Sequence, residues 1–197
     1  MDAVRIIQGT AVPLGRSDVD TDQIIPSDWL KRVERTGFEK GLFSEWRDDR
    51  DFVLNNEEYL GAVVLLAGPN FGTGSSREHA VWAIQQYGFQ AVISPRFGPI
   101  FRNNSAKNGL VTLEVSMELG DQLQTAVEAD PTLEFTIDVE RKSLEVPALG
   151  ILTTFELDDA IQHRFLEGLD DIGLTLQQGD DIDRFEGERP AWMPVTR

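Results

Sequence analysis

The middle of the chain most constrains the fold. Three apolar runs of strand length, at 61–67, 90–94 and 110–115, alternate with two segments of helical character, at about 76–87 and 97–108. Such β-α-β-α-β alternation predicts an α/β fold with a parallel sheet and right-handed crossovers. Open sheets of this kind bind ligands at the carboxyl ends of their strands, so the loops that follow those ends are the first place to look for a site.

The flanking segments complete one domain, which we expect to span residues 1–197 with a C-terminal tail from about 187 to 197, because no internal repeat or linker interrupts the chain. On the N-terminal side we predict four segments: a strand and turn at 4–14, an acidic loop at 17–26, a short helix within 29–43 and a polar surface excursion at 47–59. On the C-terminal side we predict six: a helix at 117–129, strands at 133–139, 143–146 and 151–157, a capped helix at 158–168 and a weaker helical pattern at 169–185.

Composition excludes several classes of function. The net charge of −16, from 18 Lys and Arg against 34 Asp and Glu, argues against non-specific nucleic-acid binding. No apolar stretch approaches the length that spans a bilayer, and the N-terminus lacks a basic region followed by an apolar one, so we expect a cytoplasmic protein that is not bound to a membrane. The chain has no cysteine and two histidines, which predicts no disulfide, no zinc site and no iron–sulfur cluster on its own thiolates.

The loop Pro-Asn-Phe-Gly-Thr-Gly-Ser-Ser-Arg-Glu-His-Ala, residues 69–80, indicates a site for an anion. It joins the first apolar run to the first helical segment, and Gly72 and Gly74 allow its backbone to expose N–H groups. N–H groups at a helix N-terminus favour an anion, and the Arg77 guanidinium is a fork-shaped donor that suits a carboxylate or phosphate. The loop therefore predicts a site for an anionic small molecule, with Ser75 and Ser76 beside it.

A structural interpretation of the same residues stays open. Ser75 and Glu78 match the S-x-x-E capping box, in which side chains bond to the free N–H groups of a first helical turn. Against it, a cation such as Arg77 is unfavourable in that turn. The loop is neither a P-loop, since no lysine follows the glycines, nor a full dinucleotide motif, since the third glycine is missing.

Two other groups of polar residues have mainly structural interpretations. His79 is expected to be packed or hydrogen-bonded within the helix, because no second histidine lies nearby. The alternating acids Asp18, Asp20 and Asp22 lack the glycine and terminal glutamate of a calcium loop, which excludes that interpretation.

Three motifs together carry a resemblance to a known family. They are Asp-Thr-Asp-Gln-Ile-Ile-Pro at 20–26, Phe-Gly-Thr-Gly-Ser-Ser-Arg-Glu-His-Ala at 71–80 and Arg-Phe-Gly-Pro-Ile-Phe-Arg-Asn-Asn at 96–104. The chain resembles the small subunits of 3-isopropylmalate dehydratase (isopropylmalate isomerase), in the aconitase superfamily, from about residue 12 to 186. The resemblance implies a three-layer β/β/α swivelling domain, equivalent to the last domain of aconitase, with the parallel β-α-β-α-β segment at its centre.

The resemblance also implies residue roles. Ser75 would be the catalytic base, Gly74 and Ser76 would bind and stabilise charge beside it, and Arg77 would bind a substrate carboxylate and take part in catalysis. Asp22 would organise the site from the first loop.

Lys31 and Arg32 lie in the stretch that, in this family, approaches the variable group of the substrate. Either of the two could contact it, and both could equally be solvent-exposed cations, since Lys and Arg are mostly exposed in proteins.

A partner and a reaction follow from the same resemblance. A separate large subunit would carry a [4Fe–4S] cluster, and this chain would be inactive alone. The dicarboxylates 2-isopropylmalate and 3-isopropylmalate would be interconverted through isopropylmaleate, a step of leucine biosynthesis. Two alternatives stay open: the same chemistry on citraconate/citramalate or homoaconitate, and a non-catalytic anion-binding subunit.

Overall fold

The structure, a computed structural model, describes residues 1–31, 34–190 and 192. In this part of the chain the strands form two four-stranded sheets, one parallel and one antiparallel. The strands are β1 (Ile6–Gly9), β2 (Ala11–Pro13), β3 (Val64–Leu66), β4 (Ala91–Ser94), β5 (Val111–Glu114), β6 (Phe135–Asp138), β7 (Ser143–Val146) and β8 (Ile151–Thr154). The α-helices are α1 (Thr21–Ile24), α2 (Glu78–Tyr87), α3 (Pro99–Asn108), α4 (Met117–Ala129), α5 (Asp159–Glu167), α6 (Asp171–Leu176) and α7 (Gly179–Glu188).

The parallel sheet confirms the prediction from the middle of the chain. Its order is β2-β3-β4-β5, with α2 between β3 and β4 and α3 between β4 and β5. The strands are apolar on both faces, as expected of a parallel sheet that is covered on both sides. Val12, Leu65 and Val92 contribute to a core with α2, while neighbours such as Val64 and Ile93 contribute to a second core on the opposite face.

The antiparallel sheet covers that second face. Its order is β1-β6-β7-β8, and its buried side chains, including Ile7, Phe135 and Leu144, pack in the second core with Leu123 of α4. The result is an antiparallel sheet, a parallel sheet and a helical layer, stacked in that order. This is the predicted β/β/α arrangement.

The ends of α2 and α3 follow from local sequence. Gly88 and Gly109 both have positive φ, 122° and 87°, and end the two helices. Pro99 stands at the first turn of α3, where its missing N–H costs no intrahelical hydrogen bond.

All four N-terminal predictions need correction, since α1 (Thr21–Ile24) lies within the segment 17–26 that was predicted as a loop. Residues 4–14 form two strands in different sheets: β1 ends at Gly9, which has a positive φ of 153°, and β2 begins after Thr10. The segment expected to hold a short helix instead contains 3-10 turns at Ser27–Lys31 and Phe38–Lys40. The polar excursion at 47–59 is only partly a surface segment, because Phe52 and Leu54 are each only 4% exposed and belong to the core around α2.

Among the residues described, no helix is both long enough and apolar enough to cross a membrane.

Candidate active site

Three loops leave the carboxyl ends of adjacent strands and continue side by side. Beyond β2, the Val19 carbonyl accepts hydrogen bonds from the N–H groups of Gly72 (2.8 Å) and Thr73 (3.3 Å), which lie beyond β3. Beyond β4, the Arg96 carbonyl accepts a bond from the Phe71 N–H, at 3.0 Å. The loop at 69–77 is therefore held between the other two, at the edge of the sheet where a ligand site was predicted.

Close packing against a side chain at Gly72 and against backbone at Gly98 explains the two glycines on either side of this junction. A Cβ on Gly72, which has φ 75°, would lie 2.3 Å from Cγ of Phe101, and a Cβ on Gly98 would lie 2.3 Å from the Gly72 carbonyl oxygen. Neither distance is compatible with a side chain. The N-terminus of α3 is thus packed directly against the glycine-rich loop.

Ser75 lies at the open side of this loop. It is solvent-exposed, as are Gly74 and Ser76, and among the described residues its hydroxyl makes no hydrogen bond. The capping-box interpretation of Ser75 and Glu78 is wrong, because α2 begins after Arg77 and no side chain caps it. Since Arg77 holds the N-cap position with extended backbone, Ser75 lies too far upstream to reach the first turn.

Arg77 and Asp22 form an ion pair across the first two loops. The carboxylate Oδ1 of Asp22 contacts Nη1 of Arg77, and the same nitrogen donates to the Ile25 carbonyl at 3.3 Å. The Arg77 side chain is only 17% exposed, whereas that of Asp22 is 56% exposed. Nε and Nη2 of Arg77 donate no hydrogen bond in the described part of the chain, so one edge of the guanidinium stays available to a carboxylate.

The Lys31 side chain bonds within its own 3-10 turn. Its ammonium lies 2.8 Å from the Asp28 carboxylate, and both side chains are about four-fifths exposed or more, at 79% and 86%. That hydrogen bond lowers the pKa of Asp28 and raises the pKa of Lys31. Lys31 makes no hydrogen bond to the glycine-rich loop among the described residues. Arg32, the other predicted contact for the variable group, lies outside the described residues.

The acids of the first loop have structural partners, in agreement with the rejection of a calcium loop. Asp20 caps α1 by accepting from the Gln23 N–H at 2.9 Å, while Gln23 Oε1 accepts from the Asp20 N–H at 3.0 Å. Asp18 accepts a hydrogen bond from the Asn70 side chain, at 2.7 Å. The sequence D-x-x-Q is a capping-box signature. It could have predicted this short helix, which our sequence analysis missed.

His79 is a packed residue, as expected. Its ring centroid lies 4.7 Å from that of Trp82 and 5.2 Å from that of Phe38.

Thr21 also contacts the glycine-rich loop, although no sequence motif predicted the contact. This residue is 2% exposed, and its hydroxyl donates to the Ser75 carbonyl at 3.0 Å. A threonine between two aspartates gave no sign of that contact, because the partner is a main-chain oxygen 54 positions away.

An iron–sulfur cluster, which the resemblance assigns to the large subunit, does not fit the donor set of this chain. Clusters are held mainly by cysteine thiolates, and the chain contains no cysteine. Within the described ranges, no group of three or more His, Asp or Glu side chains is placed to hold a metal ion.

The layer order, the parallel sheet and the position of the loops define a domain of the aconitase C-terminal class. The family model for the aconitase C-terminal domain matches residues 1–118, and the model for the C-terminal domain of the 3-isopropylmalate dehydratase small subunit matches residues 171–196. The chain belongs to the family of 3-isopropylmalate dehydratase small subunits, which confirms the resemblance drawn from the three motifs.

Individual relatives agree along nearly the whole chain. The 3-isopropylmalate dehydratase small subunit of Frankia alni is 60% identical over 194 residues, 98% of each chain. That of Rubrobacter xylanophilus is 58% identical over 194 residues, again 98% of each chain. The crystal structure of 3-isopropylmalate dehydratase from Methanocaldococcus jannaschii is 27% identical, with a TM-score of 0.67, and the match covers 92% of this chain and 99% of that one.

Proposed function

We propose that this chain is the small subunit of a two-part 3-isopropylmalate dehydratase. This hydro-lyase interconverts 2-isopropylmalate and 3-isopropylmalate by dehydration and rehydration through isopropylmaleate. Membership of the family supports the activity. The main support for the site is the exposed Ser75 hydroxyl, which has no protein partner in the described chain. It lies two residues before Arg77, the N-cap position of α2, where no side chain caps the helix.

Ser75 is the proposed base. As an alkoxide it takes the proton from the carbon next to a substrate carboxylate, and the electron pair of that C–H bond forms the double bond. The hydroxyl of the neighbouring carbon leaves with its bonding pair and takes up a proton to become water. A neutral serine hydroxyl is a weak base, so the alkoxide requires N–H donors and positive charge nearby. Gly74, Ser76 and the first turn of α2 supply donors, and Arg77 supplies the charge.

Arg77 is the proposed carboxylate clamp. Its Nε–Nη2 edge suits bidentate binding, while Asp22 and the Ile25 carbonyl hold Nη1. Asp22 therefore acts as the residue that orients Arg77. Lys31 and Arg32 remain proposals for the region that approaches the variable group of the substrate.

The large subunit is the proposed partner, and we assign the [4Fe–4S] cluster to it because this chain has no thiolate. We also propose that the assembled enzyme works in the cytoplasm, as expected of a biosynthetic enzyme.

The test is an anaerobic assay of this chain with a cluster-loaded large subunit, which follows the double bond of isopropylmaleate by absorbance. Each subunit alone is the control, and turnover only in the mixture supports the proposal. Ser75→Ala should abolish turnover and leave the complex intact on a sizing column. Ser143→Ala, on β7 of the antiparallel sheet, is the matched control.

Two results would contradict parts of the proposal. Near-normal turnover by Ser75→Ala would exclude Ser75 as the catalytic base. If the complex forms but acts only on citraconate/citramalate or homoaconitate, the proposed substrate is wrong. If the complex forms and turns over none of these compounds, the chain is an anion-binding subunit.

A further inference from the structure

Thr21 is a buried polar residue that joins α1 to the catalytic loop through two donors. Its N–H donates to the Thr73 carbonyl at 2.9 Å, and its hydroxyl donates to the Ser75 carbonyl at 3.0 Å. With 2% of its surface exposed, Thr21 has little contact with water that could replace either bond. These two hydrogen bonds hold the carbonyls of Thr73 and Ser75, two residues apart in the loop, toward α1.

The two carbonyls decide where the N–H groups of the same peptides point. In a planar trans peptide the N–H is directed opposite to the C=O. Because the carbonyls of Thr73 and Ser75 face Thr21, the N–H groups of Gly74 and Ser76 face away from α1, toward the open side of the loop. Both residues are exposed, and neither N–H donates a hydrogen bond in the described part of the chain.

The Ser75 carbonyl is held especially firmly. Besides the Thr21 hydroxyl it accepts the Arg77 N–H, at 2.8 Å. Two donors on one oxygen fix the plane of the Ser75–Ser76 peptide more narrowly than one can. Without the Thr21 hydroxyl, the Ser75 carbonyl would accept only the Arg77 N–H, two residues along the chain, and the orientation of the Ser75–Ser76 peptide would be less restricted.

We infer that Thr21 is a positioning residue of this site, which aims the N–H groups of Gly74 and Ser76 at the anion that the site stabilises. The inference rests on the proposed function, because the anion is the Ser75 alkoxide and the substrate carboxylate beside it. Thr21 acts only through the loop and contacts neither of them.

The turnover rate of the enzyme should depend on the Thr21 hydroxyl more than its affinity for substrate does. Loss of one donor to a developing oxyanion costs about 100-fold to 1,000-fold in kcat, and a misplaced group about 100-fold. Removal of the Thr21 hydroxyl loosens one donor, the Ser76 N–H, without deleting it, because the Thr21 N–H still holds the Thr73 carbonyl. The expected loss in kcat is therefore roughly tenfold to a hundredfold. Because Arg77 and Asp22 are untouched, KM should change by less than about threefold.

The activity test compares Thr21→Val with Thr21→Ser in the complex with the large subunit. Valine keeps the shape of threonine and loses the hydroxyl, whereas serine keeps the hydroxyl, so only Thr21→Val should lose kcat. Thr112→Val, a buried threonine in the middle of β5, is the matched control and should retain wild-type kcat. If Thr21→Val does not fold, Thr21→Ala makes the same comparison with less bulk.

A second measurement is independent of catalysis. Amide hydrogen exchange, followed by NMR on the full chain, should show faster exchange at Arg77 in Thr21→Val, while exchange at Thr73, whose N–H donates to Val19, stays unchanged.

The outcomes separate the two proposals. Wild-type kcat in Thr21→Val, or unchanged exchange at Arg77, overturns the inference about Thr21 and leaves the proposed function standing. If the wild-type complex turns over no isopropylmalate, the proposed function fails, and the exchange comparison still decides whether Thr21 clamps the loop.

Discussion

The Asp22 carboxylate and the Arg77 guanidinium form an ion pair that joins the loop after β2 to the N-terminus of α2. The pair is unequal, since the Arg77 side chain is mostly buried and that of Asp22 is more than half exposed. Asp22 is therefore well solvated, and its effect is to fix the direction of Arg77 more than to stabilise the fold.

Arg77→Lys should lower kcat/KM by roughly tenfold to a hundredfold, because an ammonium cannot reproduce a bidentate edge and one charged hydrogen bond contributes about 1.5–3 kcal/mol. Steady-state kinetics of the two-subunit complex measure the effect. The matched control is Arg5→Lys, which changes exposed ion pairs to Glu140 and Glu167 on the antiparallel-sheet side. If the two variants had equal kinetics, the proposal that Arg77 clamps a substrate carboxylate would be wrong.

Asp22→Asn should show that Asp22 acts through Arg77. In a double-mutant cycle with Arg77→Lys, the loss from Asp22→Asn should be large in the wild-type background and nearly absent when residue 77 is lysine. The coupling energy expected for residues in direct contact is about 0.5–3 kcal/mol. Additive losses in kcat/KM would mean that Asp22 has a separate role.

Gly72→Ala should destabilise the fold by about 2–5 kcal/mol, since the added Cβ combines a positive φ with a collision against the Phe101 ring. Gly61→Ala is the matched control, because Gly61 also has positive φ, at 81°, and no neighbour within 4 Å of an added Cβ. The control should cost only about 1 kcal/mol. Urea unfolding of both variants measures the difference, and similar midpoints would contradict the steric explanation.

The start of α6 should weaken in acid. The hydrogen bond from Arg164, at 2.5 Å, holds the pKa of Asp171 below its ordinary value of 3.8. A carboxyl with a lowered folded-state pKa contributes stability above 3.8, and that contribution is lost as the pH falls through the folded-state value.

Melting temperatures measured from pH 6 down to pH values of about 3 should therefore converge for wild type and Asp171→Asn, with wild type more stable only at the upper end. Asp121→Asn, at an exposed acid of α4 with no ion pair among the described residues, should show no such convergence. A constant difference between wild type and Asp171→Asn across the range would exclude the ionised pair as its cause.

The sequence by itself determined the parallel centre of the fold and predicted the kind of site. The signals are local, because each depends on the conformations that a few consecutive residues allow. They are the apolar runs of strand length, the helices ended by Gly88 and Gly109, and the glycine-rich loop before the first of these helices. The absence of cysteine excluded a cluster on this chain's own thiolates in the same direct way. The family motifs then narrowed an anion site to a specific branch of the aconitase superfamily.

Only the tertiary structure decided which groups meet. The capping-box interpretation of Ser75 was wrong because the hydrogen bonds to α1 and to the Val19 carbonyl hold the loop before the helix can begin. Phe52 was assigned to a polar surface segment, yet it is buried against Trp46, because a single aromatic ring can anchor a segment whose average composition is polar. The contact of Thr21 with the Ser75 carbonyl joins a side chain to a main-chain oxygen, which every residue possesses. No residue pattern can therefore mark it, and only the folded path of the chain brings the two together.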